Sequence, residues 1–390
     1  MDISSPGEVE FSDTKDALES LNSKDESYDS RDSGDSGIQE DVELESEDGW
    51  TVRDGAGRDH VVVPFDPSEL RGHCRALDSG AVRVGEGRFA LPRHGLMSLP
   101  SYSAPRTIRP GELVVCSVPK SGTTWTLEMA WLVANDCDFE GARSRLDQNR
   151  YTEVGNLFYL GLTPAFLREY VPLVMTRLRK LAGLVHLLYL MLRSLWQSVG
   201  LVKTHVPLSL LPPDLLETNK VIYVTRNPKD ALVSYYHHFS RCRVVKYSGS
   251  MDDLAEDYMA GRLPGLPFFS HVLEAWRQRH HPNMLFLFYE DMKRDMPGTL
   301  RRVADFLGKT LSTEQVEKLC HHLDFKQMKN NEHANSLMYQ KAGILEMSSF
   351  IREGQVGKWR QHVSPEVDRR LNEWIRRSVA GTGLSYEGVQ

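Results

Sequence analysis

The sequence predicts an α/β protein, a single domain with a central parallel sheet flanked by helices. Two observations carry that expectation. From Glu112 onward, short β-branched or apolar runs alternate with helical segments, the order that builds a parallel sheet. The runs are continuous stretches of β-branched or apolar residues rather than an apolar–polar alternation, as in strands covered on both faces. At 390 residues, 41% hydrophobic and 26% charged, the chain has a globular composition and ample material for a core.

The N-terminal segment stands apart. Residues 1–50 hold 17 Asp and Glu against 3 Lys and Arg, net −14, and the remainder carries net +8. Residues 1–58 are expected to form an acidic disordered tail, because too few apolar side chains are present to offset the entropy of ordering. An inert solvated tail is the simplest expectation; serine phosphorylation and docking on the basic body are the alternatives. The folded domain is assigned to residues 59–390. Its mild positive balance suits an anionic ligand and falls short of a nucleic-acid footprint.

Within the domain, "HVVVPF", "AVRVG" and "RFALP" lie between Gly and Pro residues and read as hairpin or extended material. Strand–helix pairs follow: "ELVVCSV" with "TTWTLEMAWLVAND", "GLVKTHV" with "PDLLETN", "KVIYVTR" with "PKDALVSYYHHFS", and "NMLFLFYEDM" with "GTLRRVADFLG". The five cysteines are scattered and form no CxxC pair, which argues for free thiols. The acidic N-terminus resembles neither a signal nor a transit peptide. No run is long and apolar enough for a membrane span. A cytoplasmic protein is expected.

Ligands of open parallel sheets sit beyond the carboxyl ends of the strands. That rule brings Pro119–Thr124, Lys203–His205, Arg226–Asp230 and Tyr289–Asp291 to one rim. The loop "PKSGTT" enters a helix at Thr123, Thr124 and Trp125, so its N–H groups and the helix dipole suit a phosphate or sulfate. Lys120 stands at its mouth. The Walker A order is absent, because the lysine precedes Ser121 and Gly122, and an ordinary strand–helix turn is the alternative. In "YVTRNPKDALVSYYHH", Arg226 and Ser234 are spaced to face one anion; an Arg226–Asp230 pair closing the loop is the alternative. "LVKTHVP" sets Lys203 and His205 two residues apart on one face. A histidine can take a proton from a hydroxyl, and its place on the rim argues against a merely packed residue.

The PKSGTTW unit, "RNPKDALVSYY" and "KTHVP" together resemble the cytosolic sulfotransferases, which use 3′-phosphoadenosine 5′-phosphosulfate (PAPS). The likeness extends through "FLFYEDMKRD" and "DFKQMKNN" to "FIREGQVGKW", covering about residues 105–375. It implies a P-loop-like phosphosulfate loop. Lys120 would contact the bridging oxygen and leaving group, while Ser121, Gly122, Thr123 and Thr124 wrap the 5′-phosphate. Trp125 would stack on adenine, and Tyr289 would touch its side. Arg226 and Ser234 would bind the 3′-phosphate, with Arg352 and Gly354 closing over it. His205 would be the general base and Lys203 an electrophilic partner, with Lys120 and Ser234 in the same catalytic group. The reaction implied is in-line transfer of a sulfuryl group to a hydroxyl or amine, with no metal. The histidine pairs 237–238, 280–281 and 321–322 are read as solvated surface.

Several positions depart from the family pattern. Its RKGxxGDW reads REGxxGKW here, with Glu353 for the lysine and Lys358 for the aspartate. Leu323 replaces the threonine before "FKxMKxN". The dimer motif meets Arg360, Ser364, Pro365 and Arg369, none matching, so the family's usual homodimer is not carried over. A helical insertion at about 160–200 enlarges the interval before "KTHVP", as in insect retinol dehydratase. Its apolar stripe includes Leu181, Leu188 and Leu195. A core helix, a lid over a hydrophobic acceptor, or weak membrane-surface contact through residues 173–199 would each account for it. The reading is a PAPS-dependent sulfotransferase acting on a small, mainly apolar alcohol or phenol, such as a sterol or retinoid. A retinol-dehydratase-like enzyme and a non-catalytic PAPS-binding protein are the alternatives. A P-loop kinase is disfavoured by the missing Walker A motif.

Overall fold

The computed structural model describes residues 49–54, 57–77, 80–92, 108–144, 150–154, 200–243, 245–331 and 354–388. The insertion at 160–199, Arg352, Glu353 and residues 1–48 of the acidic tail lie outside the described residues.

Five strands form a wholly parallel sheet: β5 (Leu113–Cys116), β6 (Thr152–Val154), β7 (Leu201–Thr204), β8 (Val221–Thr225) and β9 (Met284–Phe288), in the order β6-β7-β5-β8-β9. Every residue of β5, β7 and β8 is buried. Along β5 and β8 the side chains divide by turns between two cores. Val114, Cys116, Val221 and Tyr223 enter one, and Leu113, Val115, Ile222 and Val224 the other. Strands apolar at every position have to be covered twice, and they are.

Helices α1 (Thr123–Ala134), α2 (Met296–Leu307) and α3 (Thr313–His322) supply the second core through Leu127, Met129, Leu300, Val303, Val316 and Leu319. The first is built by α4 (Pro228–Arg241), α5 (Met251–Met259), α6 (Phe268–Arg277) and α7 (Pro365–Val379). Short helices at Tyr289–Arg294 and Phe325–Asn330 complete the edge used below.

Ahead of the sheet comes an antiparallel meander, β1 (Trp50–Arg53), β2 (Asp59–Pro64), β3 (Ala81–Val84) and β4 (Phe89–Pro92). Val62, Val82 and Leu91 pack into the first core. The expected hairpin material is therefore present, with one correction: Trp50–Arg53, assigned to the tail, is a strand in register with Asp59–Val62. Composition put it in the tail; cross-strand pairing puts it in the folded body.

Candidate active site

The carboxyl ends of all five parallel strands share one edge, and β5 lies at the point where the strand order reverses. Loops there open a crevice. One cleft is lined by Lys120, Gly122, Thr123, Thr124, Trp125, Lys203, His205, Arg226, Ser234, Tyr289 and Gly354. Ser121 sits fully buried in the same loop. Every candidate on the described residues is thus assembled in one place; Arg352 lies outside them.

The loop after β5 has an unusual backbone. Lys120 and Gly122 both have positive φ, 68° and 104°. Gly122 is required there twice over: an added Cβ would lie 2.7 Å from the Tyr289 ring, and an L side chain resists that φ. No side chain caps α1, whereas α2, α3, α4 and α7 are each capped by one. The first N–H groups of α1 are left for a ligand. The hydroxyl of Ser121 is buried without a hydrogen-bond partner, and so is Nε of Arg226. Buried polar atoms are rarely left this way, and an oxyanion beside each would satisfy it.

Lys203 and Glu153 are paired residues of β7 and β6, and their side chains form an ion pair at 2.8 Å. His205, one residue past β7, places Nδ1 2.8 Å from the carbonyl of Ser117. A carbonyl only accepts, so Nδ1 carries the proton and Nε2 the lone pair. Burial, reinforced by Lys203, holds this imidazole well below the usual histidine range. The ammonium of Lys120 is pushed down to about 7, first by burial and then by Lys203 and Arg226.

The far end of the cleft is aromatic and cationic. The guanidinium of Arg226 lies 4.5 Å from the centre of the Tyr289 ring, and an Arg226 N–H donates to the Gln355 carbonyl at 3.2 Å. Trp125 meets Tyr289 edge-on at 5.4 Å, and its indole N–H donates to the Leu323 carbonyl at 2.8 Å. Gly354 lies against Phe325, whose ring would collide with any Cβ there. Lys293 stands over both Trp125 and Phe325. Flat apolar walls with cations at the rim suit a nucleobase.

Some sequence expectations change. Asp230 does not pair with Arg226. Its carboxylate accepts the N–H groups of Gly357 and Trp359, at 2.7 and 3.2 Å, and pins the C-terminal turn. His237 and His238 line the cleft, and His238 is buried. His322 contacts the buried Glu128 at 2.7 Å. These three are therefore not solvated surface: adjacent helix positions diverge, and here some turn inward. Among the described residues no group of three or more His, Cys, Asp or Glu is placed to hold a metal ion. No described helix is long and apolar enough to cross a membrane. Sequence reasoning missed Glu153, Lys293, Phe325 and the cleft position of Lys358. Phe325 and Lys293 lay inside quoted motifs, but only the fold sets them against Trp125.

A family model described as the sulfotransferase domain matches residues 110–383. Luciferin sulfotransferase of Photinus pyralis is 33% identical over 320 residues, covering 79% of this chain and 82% of that protein. Retinol dehydratase, solved in complex with androsterone and the inactive cofactor PAP, aligns with a TM-score of 0.71 at 33% identity. The alignment covers 84% of this chain and 98% of that one. Its complex with retinol and PAP gives 0.70 at 34% identity, over the same shares of each chain.

Proposed function

The chain belongs to the sulfotransferase family and is a PAPS-dependent enzyme; from that premise we propose that it sulfonates a hydroxyl of a small, mainly hydrophobic acceptor, with His205 as general base. The observation that carries the reading is the hydrogen bond of His205 Nδ1 to Ser117. It leaves the imidazole's lone pair on Nε2, in the same cleft as the phosphate-type loop, while burial and Lys203 keep the ring neutral.

PAPS, when bound, supplies an activated sulfuryl group. The residues present fit it. The uncapped start of α1, the Thr123 and Thr124 hydroxyls and the unpartnered Ser121 Oγ suit the 5′ end. Arg226, with its unpartnered Nε, and Ser234 suit the 3′-phosphate. Trp125, Tyr289 and Phe325 suit adenine. His205 would take the proton from the acceptor hydroxyl, while Lys120 and Lys203 hold positive charge where negative charge develops. The hydrophobic acceptor is supported by the retinol and androsterone complexes of retinol dehydratase.

That likeness also favours a second reading, in which sulfonation of an allylic alcohol leads to elimination. One experiment tests both: labelled PAPS with a panel of phenols, sterols and retinoids, with product masses recorded. Gain of SO3 supports transfer, and loss of water supports elimination. PAP binding with neither product across the panel would count against both.

Two further results are expected. With a folded-state value near 7, Lys120 is largely neutral above pH 7 in the ligand-free protein, and an anion draws a proton back onto it. Affinity for PAP should fall as pH rises from 7.5 to 9.5, by at most about tenfold per unit, and Lys120→Met should flatten the slope. Calorimetric titration at three pH values checks this. Lys358, where the family carries aspartate, lines the cleft with Arg226 and Gly354 and would supply a cation for the 3′-phosphate. Lys358→Gln should weaken PAP about tenfold and leave 5′-AMP within about twofold, as competitive displacement would measure.

A further inference from the structure

We infer that Ser117 is a positioning residue that links occupancy of the phosphate loop to the readiness of the base, its hydroxyl holding Thr123 and its carbonyl holding His205. The inference rests on the reading of Thr123 as a phosphate ligand and His205 as the base. Ser117 is the first residue after β5. Its Oγ lies 2.6 Å from Thr123 Oγ1, its carbonyl oxygen 2.8 Å from His205 Nδ1, and its Oγ 3.4 Å from the same nitrogen. One residue therefore touches the loop with its side chain and the imidazole with both its main chain and its side chain. Ser117 is 0% exposed, Thr123 5% and His205 8%, so water has little access to scramble the protons between them.

Such a chain has a direction, because each hydroxyl has one proton to give. When an oxyanion occupies the loop, Thr123 donates to it. Ser117 then donates to Thr123 Oγ1, and a lone pair of Ser117 Oγ faces His205 Nδ1–H. That proton is shared between a near acceptor, the carbonyl, and a farther one, the hydroxyl. Without the anion, Thr123 is free to donate to Ser117, whose own proton then points toward Nδ1 and opposes the proton already there. Loading the loop replaces this conflict with a second acceptor for Nδ1–H, which supports the positive charge that forms on the ring when Nε2 takes a proton. The carbonyl sets the tautomer; the hydroxyl makes the strength of the base respond to the ligand.

Ser117→Ala keeps the carbonyl and deletes the hydroxyl, and Ser117→Thr restores a hydroxyl. With the full chain, Ser117→Ala should lower kcat about tenfold while PAP affinity stays within about twofold, and Ser117→Thr should recover most of the rate. In ¹⁵N-histidine spectra, saturating PAP should shift the His205 Nδ1–H signal of the wild type, as the second acceptor turns toward it, and shift that of Ser117→Ala far less. Wild-type turnover by Ser117→Ala overturns the inference. So does a joint loss of PAP binding and rate that Ser117→Thr fails to restore, which marks a packing role. If Ser117→Ala is normal while His205→Ala is inactive, the coupling alone falls. If His205→Ala turns over normally, the base assignment falls and this inference with it.

Discussion

His205→Ala is expected to lower kcat by about 10²–10⁴-fold, the usual contribution of a positioned base, with PAP affinity nearly unchanged. The split follows from where His205 stands. Its Nδ1 is held by the Ser117 carbonyl, and the phosphate-type loop is shaped by Lys120, Gly122 and the start of α1. On the proposed roles, removing the imidazole deletes the proton acceptor and leaves the anion cradle standing. The pH dependence has a definite sign. Burial and Lys203 hold the imidazole well below its ordinary 6.5, so the ring stays neutral through pH 6.5, and kcat should begin to fall only at lower pH if it is the base. Steady-state kinetics between pH 5 and 8, with PAP titrations alongside, check both statements.

The second large effect is expected from Gly122→Val, which should weaken PAP by roughly 5–150-fold. A Cβ at this position would sit 2.7 Å from the Tyr289 ring, and the backbone φ of 104° is one that β-branched residues avoid. Strain of this kind is about 1–3 kcal/mol, roughly 5–150-fold in a binding constant. Any relief must come from moving the loop or Tyr289. Either movement turns the first N–H groups of α1 away from an anion or takes the ring from under Arg226, 4.5 Å above it. Calorimetry with PAP measures the loss, and an unchanged melting temperature would locate it in the site.

Much of the fold was legible in the sequence because its cause is local. Apolar runs such as "VIYVT", too short for helices and set between helical segments, read as strands buried on both faces, and the loops leaving parallel strands share an edge. Lys120, His205, Arg226 and Tyr289 meet in one cleft for that reason. What was missed depends on partners far along the chain. Trp50–Arg53 follows an acidic run and becomes a strand only through pairing with β2. Glu153 meets Lys203 only in the register of β6 with β7. His322 looks like one of two surface histidines until α3 packs on α2, and α2 on α1, and its ring reaches Glu128. Asp230 bears on the alternative offered for Arg226, a pair closing the loop: its carboxylate is taken instead by backbone N–H groups of residues 357 and 359, far along the chain.

The most direct test of the account is single-turnover transfer from ³⁵S-labelled PAPS to a hydrophobic alcohol or phenol, with wild type and His205→Ala run at saturating PAPS. Rapid labelling of the acceptor by the wild type, and labelling at least about 100-fold slower by a variant that still binds PAP, is the predicted result. Equal rates in the two proteins would remove His205 as the base, and no transfer by a wild type that binds PAP would contradict the proposed reaction.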